Sequence, residues 1–385
     1  MNFHARQKDL KLLTYQDYYN RLISDSTEFT AAYTRTFNRL GVETSCIILN
    51  DKVLLEKMKQ ERAYQRFTTR ELLKQEIKDF RPDVLWLEDP VSFDPDLVSY
   101  LKEGNRSIKL VAAYHCSSLN PSLIRNLSCA DIVIACTPWL KAGLEKNGHK
   151  AYLVYHGFDN GILPGIRKGN NSGDIVFAGS LFLGADSQNN RLELLETLLK
   201  SGVDIRLYLN LDKRYKILAK QIIYRINQVA EKIGIRDLPS KYAIFADGKS
   251  RIRDYSYLLL SKARKPLFGM EMYNLISNSG VVLNMHAEGS AECAGNMRLF
   301  EVTGIGSCLL TDYKRNIRDL FIPGEEIVTY TDTEDCISKI QWLLRNDVSR
   351  RKIAEAGQKR TLKDHTIENR CREIVGILSG ELSKS

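Results

Sequence analysis

Short, wholly apolar runs alternate with amphipathic stretches along this chain in two blocks, and the alternation lapses between them at residues 161–173. A strand apolar on both faces needs cover on both faces, and helices crossing between parallel strands supply it. In the first block the strand-like runs fall at residues 10–14, 42–49, 84–87, 108–113, 132–135 and 151–154. Between them, Asp25-Ser26-Thr27 reads as the cap of a helix running to Leu40, with Gly41 just past its end. Further helices are expected from Asp51 and over residues 68–80.

The lapse holds Pro164-Gly165 and the stretch Gly-Asn-Asn-Ser-Gly at 169–173, which has linker composition. The second block has strand-like runs at 174–178, 203–208, 243–245, 281–284, 307–310 and 327–329, a helix through 192–199, and a helical tail from Asp332. The pattern predicts an α/β chain of two doubly wound, Rossmann-like domains facing across a cleft. Residues 1–160 form the first domain, 161–173 the linker and 174–360 the second domain. Residues 361–385 are expected to form a helix packing back on the first domain. A single barrel of eight βα units fits less well, because strand spacing is irregular and the linker interrupts it.

The 385 residues suffice for two cores, and no run of about 18 apolar residues exists to span a bilayer. The first residues lack the apolar stretch of a signal peptide, which points to the cytoplasm. Eight cysteines stand singly with no Cys-x-x-Cys pair, so reduced, mostly buried thiols are expected rather than a zinc or redox site. A net charge of +9 favours anionic partners, yet the cations are dispersed and no nucleic-acid module is present. In residues 213–234, Leu218, Ile222, Ile226, Val229 and Ile233 recur at core-facing helical spacing, beside Lys213, Arg214, Lys216, Lys220 and Arg225. Such a helix either presents a solvated basic face or makes a peripheral contact with an acidic membrane carrying a lipid-linked acceptor.

Doubly wound sheets place chemistry in the loops after their strands. Gly179-Ser180 follows a strand and precedes a helix, where backbone amides can approach an anion, and Arg191 lies near enough to reach a pyrophosphate. His286 follows another strand. Asn296 opens a helix on which Arg298 and Glu301, three apart, share one face, so an arginine for phosphate stands beside a carboxylate for ribose hydroxyls. In the first domain His115 sits at a strand end and suits a general base by type, with Asp25, Glu28, Glu88 and Asp89 in comparable loops.

Residues 281–370 resemble the carboxyl-terminal region of GT-B glycosyltransferases, close to the "glycosyl transferases group 1", spore-maturation-type branch. The resemblance is carried by Asn-Met-Arg-Leu-Phe-Glu at 296–301 with Gly304 and Gly306, by Leu-Phe-Ile-Pro-Gly-Glu-Glu at 320–326, and by residues 353–357 through His365 and Arg370. It implies transfer of a hexosyl or pentosyl group from an activated, nucleotide diphosphate sugar to a glycan, lipid-linked or small-molecule acceptor. Under it Glu301 binds the donor ribose, while Gly179-Ser180 and Arg191 or Arg298 neutralise the leaving phosphate, with no metal and no further cofactor. It also implies cytoplasmic action, at the inner face of a membrane where the acceptor is lipid-linked. Many retaining relatives carry a second glutamate eight positions before the ribose-binding one; here that position is Cys293, beside Glu292. A nucleotide-sugar epimerase and a non-catalytic nucleotide-sugar-binding protein are the alternative readings of the same pocket.

Overall fold

The computed structural model describes residues 9–24, 29–88, 90, 92–167, 169, 172–184, 189–235, 245, 252–287 and 292–384. The chain divides into two compact units, Met1–Gly165 with Leu362–Ser385, and Ile166–Thr361.

The first unit is built on a parallel sheet of strands β1 (Val84–Leu87), β2 (Leu110–His115), β3 (Ile132–Ala135) and β4 (Ala151–Leu153), in that order. β2 and β3 are buried at every position, as unbroken apolar runs require. Helix starts follow local chemistry. Asp51 caps the helix Lys52–Glu61, and Thr68 with Glu71 forms a reciprocal capping box on Thr69–Phe80. Asn120 and Thr137 cap helices that begin with proline.

Two strand expectations fail here. Residues 10–14 form a short 3-10 turn, Leu10–Leu12, before the helix Tyr15–Ser24. Leu10 packs with Tyr18, Leu22 and Leu54, so its run serves a helical cluster instead of a ladder. Residues 42–49 form no strand and pair with none among the described residues. An apolar alternation sets a face; it does not supply a hydrogen-bonding neighbour.

The last helix, Ile367–Leu382, packs in the same core as Phe37, Tyr114, Ile134 and Val154. Phe158 exchanges backbone hydrogen bonds with the His365–Ile367 segment. Gly157 permits this approach, since a Cβ there would lie 2.8 Å from the Ile367 nitrogen.

The second unit carries six parallel strands in the order β10-β9-β8-β5-β6-β7. Their ranges are β5 (Ser172–Leu181), β6 (Ile205–Leu211), β7 (Ala263–Arg264), β8 (Ser279–Asn284), β9 (Cys308–Asp312) and β10 (Val328–Tyr330). Read from β7, this is the doubly wound order with its reversal between β5 and β8, where ligands of such sheets bind at the carboxyl ends. The strand expected at 243–245 falls largely outside the described residues. The two-residue β7 escaped the sequence reading, being too short to show a period.

The helix Arg214–Lys232 corrects another expectation. Its core-facing residues are Ile217, Asn227 and Ala230, whereas Leu218, Ile222, Ile226, Val229 and Ile233 are exposed. The apolar stripe points away from the sheet. Among the described residues, no helix is long and apolar enough to cross a membrane.

Candidate donor site at the carboxyl ends of β5, β8 and β9

The reversal between β5 and β8 gathers several of the residues singled out in the sequence. Gly179 and Ser180, expected in a turn after their strand, instead lie within β5 in register with Leu209 and Asn210 of β6, and Asn284 ends β8. Arg191, on the helix Asn189–Lys200, donates to the Ser180 carbonyl at 2.7 Å and to the Met285 carbonyl, so it ties the two strand ends together. Its guanidinium also lies 5.6 Å over the Phe177 ring. A phosphate role for Arg191 therefore has to be shared with a structural one.

Asn296 precedes the helix Met297–Ile305, but its side chain does not cap it. Instead it faces Asn284 in a reciprocal pair of amide hydrogen bonds at 2.9 and 3.3 Å. The helix ends at Gly306, whose φ of +90° makes the left-handed turn that starts β9. Seven of its nine residues are buried, Glu301 among them.

Arg298 forms an ion pair with Glu301 at 2.9 Å. It also donates to the Ala178 carbonyl and the Met272 sulfur, each at 3.1 Å. The other Glu301 oxygen accepts from Tyr273 Oη at 3.4 Å. With one side of its guanidinium on a β5 carbonyl, Arg298 fixes the carboxylate in place.

His286 lies two residues past β8 and is buried. Its backbone N–H and its Nδ1 both meet Asp312 Oδ1, at 3.0 and 2.7 Å, while Lys314 stands 3.2 Å from Oδ2. Burial alone would raise the Asp312 carboxyl, but the hydrogen bonds and charge of His286, with Lys314, outweigh it and hold it at about 2. Asp312 is thus an anion at neutral pH, and it fixes the imidazole with Nδ1 as the donor. His286 Nε2 is buried and has no hydrogen-bond partner among the described residues.

Asp312 was missed in the sequence, although it closes an apolar run of the kind that ends at a sheet edge. Cys293 is a half-buried free thiol, and Glu292 is exposed and paired with Arg315. Glu292 therefore does not stand in for a second buried glutamate. Glu288 lies outside the described residues.

In the first unit, His115 ends β2 and is buried, and its Nε2 meets the Ser117 carbonyl at 2.8 Å. That contact keeps the proton on Nε2. Glu88 follows β1; burial raises its carboxyl, opposed by a hydrogen bond from Trp86 Nε1 at 2.7 Å. His156 follows β4, and burial, then the charge of Arg370, lowers it to about 4. Asp25, Glu28 and Asp89 lie outside the described residues.

The expectation that every cysteine stands alone as a thiol is corrected at Cys116 and Cys136, which are joined. Parallel pairing sets His115 opposite Ala135, so the residues that follow both strands become neighbours despite a sequence separation of 20. With His156 they form a cluster of ligand-type atoms within 4.8 Å of one another.

The helix Met297–Ile305 and its flanking strands fall within residues 227–376, which match the family model described as "Glycosyl transferase-like". A glycosyltransferase from Rickettsia africae is structurally similar over 94% of this chain and 97% of its own, with a TM-score of 0.57 and 12% identity. The Anabaena protein HepE, in complex with UDP and glucose, is similar over 80% of this chain and 81% of its own, with a TM-score of 0.53 and 12% identity. Sucrose-phosphate synthase from Thermosynechococcus elongatus is similar over 96% and 94%, with a TM-score of 0.52 and 12% identity. At such identities the structural likeness is one of fold. No curated protein matches the sequence. The fold is that of GT-B glycosyltransferases, and residues 227–376 match the glycosyl transferase-like family model.

Proposed function

We propose that the protein transfers a hexosyl or pentosyl group from a nucleotide diphosphate sugar to a glycan, lipid-linked or small-molecule acceptor without a metal. The observation that carries this reading is the buried Glu301 carboxylate held by Arg298 beside the reversal between β5 and β8. A fixed carboxylate accepts two vicinal ribose hydroxyls, and Arg298 positions it. The Gly179-Ser180 strand end and the first amides of the helix Met297–Ile305 face the pyrophosphate, where the helix dipole favours negative charge. Asn296 and Asn284 set the entry to that helix. His286, oriented by Asp312, gives Nε2 to a phosphate oxygen when protonated or takes a sugar hydroxyl proton when neutral. The fold neighbours bound to UDP support a uridine nucleotide as the first donor to try. On the acceptor side His115, Asp25 and Glu28 are the proposed groups, and no cofactor beyond the donor is needed. The same reading places the reaction in the cytoplasm.

Calorimetry with a panel of nucleotide diphosphate sugars, followed by transfer assays, tests it. One donor should bind the wild type, and Glu301→Ala should weaken it about 100-fold, because hydrogen bonds to a charged group contribute about 1.5–3 kcal/mol. If Glu301→Ala and Arg298→Ala both bind the donor like wild type, the pocket lies elsewhere. Epimer formation without any acceptor would replace transfer by isomerisation.

A further inference from the structure

The helix Arg214–Lys232 has two apolar faces, and among the described residues only one is buried. Ile217 and Ala230 are buried against the second unit, at 3% and 6% exposure. On the opposite side Tyr215, Leu218, Ile222, Ile226, Val229 and Ile233 are 63%, 47%, 56%, 45%, 58% and 68% exposed. At about 100° per residue these six fall within roughly 80° of arc. Scattered exposed apolar residues are normal on a protein surface, but a continuous stripe along a helix is not. The outward face of an ordinary surface helix is polar.

Charge is arranged around the stripe. Arg214, Arg225 and Lys232 project within roughly 40° of one edge of it, and all three are exposed. Glu231, the only acid in the helix, lies away from the stripe. Lys220 is on the core side, committed to Asp212 at 3.0 Å and to the Leu183 carbonyl at 2.6 Å. An apolar stripe edged by cations, on a helix that cannot cross a bilayer, matches the requirements for lying in an interface.

We propose that the helix Arg214–Lys232 is an interfacial helix that seats the second unit on a membrane surface containing acidic lipid. The apolar stripe enters the boundary between headgroups and acyl chains, and Arg214, Arg225 and Lys232 meet the anionic headgroups. The net charge of +9 on the whole chain acts in the same direction. This inference goes beyond the donor reading and does not depend on it, since docking needs no sugar and no turnover.

Co-sedimentation of the full chain with vesicles is the test. Vesicles of phosphatidylcholine with about one third phosphatidylserine should retain the protein, and pure phosphatidylcholine vesicles should hold it at least about tenfold more weakly. Leu218→Gln with Ile222→Gln and Val229→Gln should abolish binding to both. These positions are exposed, so circular dichroism and melting temperature should match wild type. Arg225→Glu with Lys232→Glu should lose only the preference for the acidic vesicles. Wild-type protein that stays in the supernatant, or glutamine variants that sediment equally, overturns the proposal. So does a wild-type dimer in solution that those glutamines convert to monomer with no vesicle binding, which would assign the stripe to a second copy of the chain.

Discussion

The carboxyl ends of the two sheets treat ionisable groups in opposite ways. Beyond β8 and β9, charges are met by charges: Arg298 with Glu301, and His286 and Lys314 with Asp312. Asp312 is held at about 2 despite its burial. Beyond β1, β2 and β4, burial dominates. Glu88 is raised, Tyr33 and Tyr114 are pushed up, and His156 is lowered to about 4. Asp312 keeps its charge at the second sheet, where burial nevertheless raises Tyr330, whereas Glu88 and His156 at the first are both pushed toward their neutral forms. A pyrophosphate needs the former environment, while a hydroxyl that must lose a proton is better served by groups that are not already ionised.

The contrast can be broken by titration. His156 has a folded value of about 4 against an ordinary 6.5, so the unfolded chain binds the proton first. Its contribution to stability is complete above about 6.5 and is lost as pH falls through about 4, worth about 3 kcal/mol. Denaturant melts at stepped pH should show this arm in wild type and lose it in His156→Gln. An unchanged arm in the variant would place the acid sensitivity elsewhere.

Asp312 predicts a smaller loss in a lower window. Its folded value of about 2 lies below the ordinary 3.8, so its contribution is present above about 4 and disappears as pH falls through about 2, worth about 2 kcal/mol. In Asp312→Asn this second arm should vanish while the His156 arm stays. Donor affinity in Asp312→Asn should also fall about tenfold at neutral pH, because His286 loses the partner that orients it; affinity equal to wild type would remove His286 from the donor site.

The smallest effect is expected at Glu88. A raised carboxyl stabilises the fold below its unfolded value and loses that contribution as pH rises through the folded one. Glu88→Gln keeps an acceptor for Trp86 Nε1 and removes the buried charge. Its melting temperature at pH 7 should rise by about one or two degrees and should match wild type in acid. A fall at pH 7 would mean that the charge is stabilised by something burial does not describe.

Strands buried on both faces were legible because their apolar runs announce them, and 84–87 and 132–135 coincide with β1 and β3. Runs 10–14 and 42–49 misled because a local pattern cannot say whether a neighbour will arrive to share hydrogen bonds. The Arg298–Glu301 pair could be read from helical spacing alone. His286 with Asp312 could not: 26 residues separate them, and they meet only because Asn284 pairs with Thr311 across parallel strands. Cys116 and Cys136 were hidden for the same reason, as were the two apolar faces of Arg214–Lys232, where periodicity shows a stripe but not its direction.

The first unit takes its final helix, Ile367–Leu382, from the far end of the chain. During synthesis, residues 1–165 leave the ribosome with one wall of their core not yet made. The continuous span 166–361 holds every described strand of its own sheet, whereas the core of residues 1–165 is completed only by residues 362–385. Until Ile374 and Cys371 arrive, Tyr33, Phe37 and Tyr114 lack that side of their core.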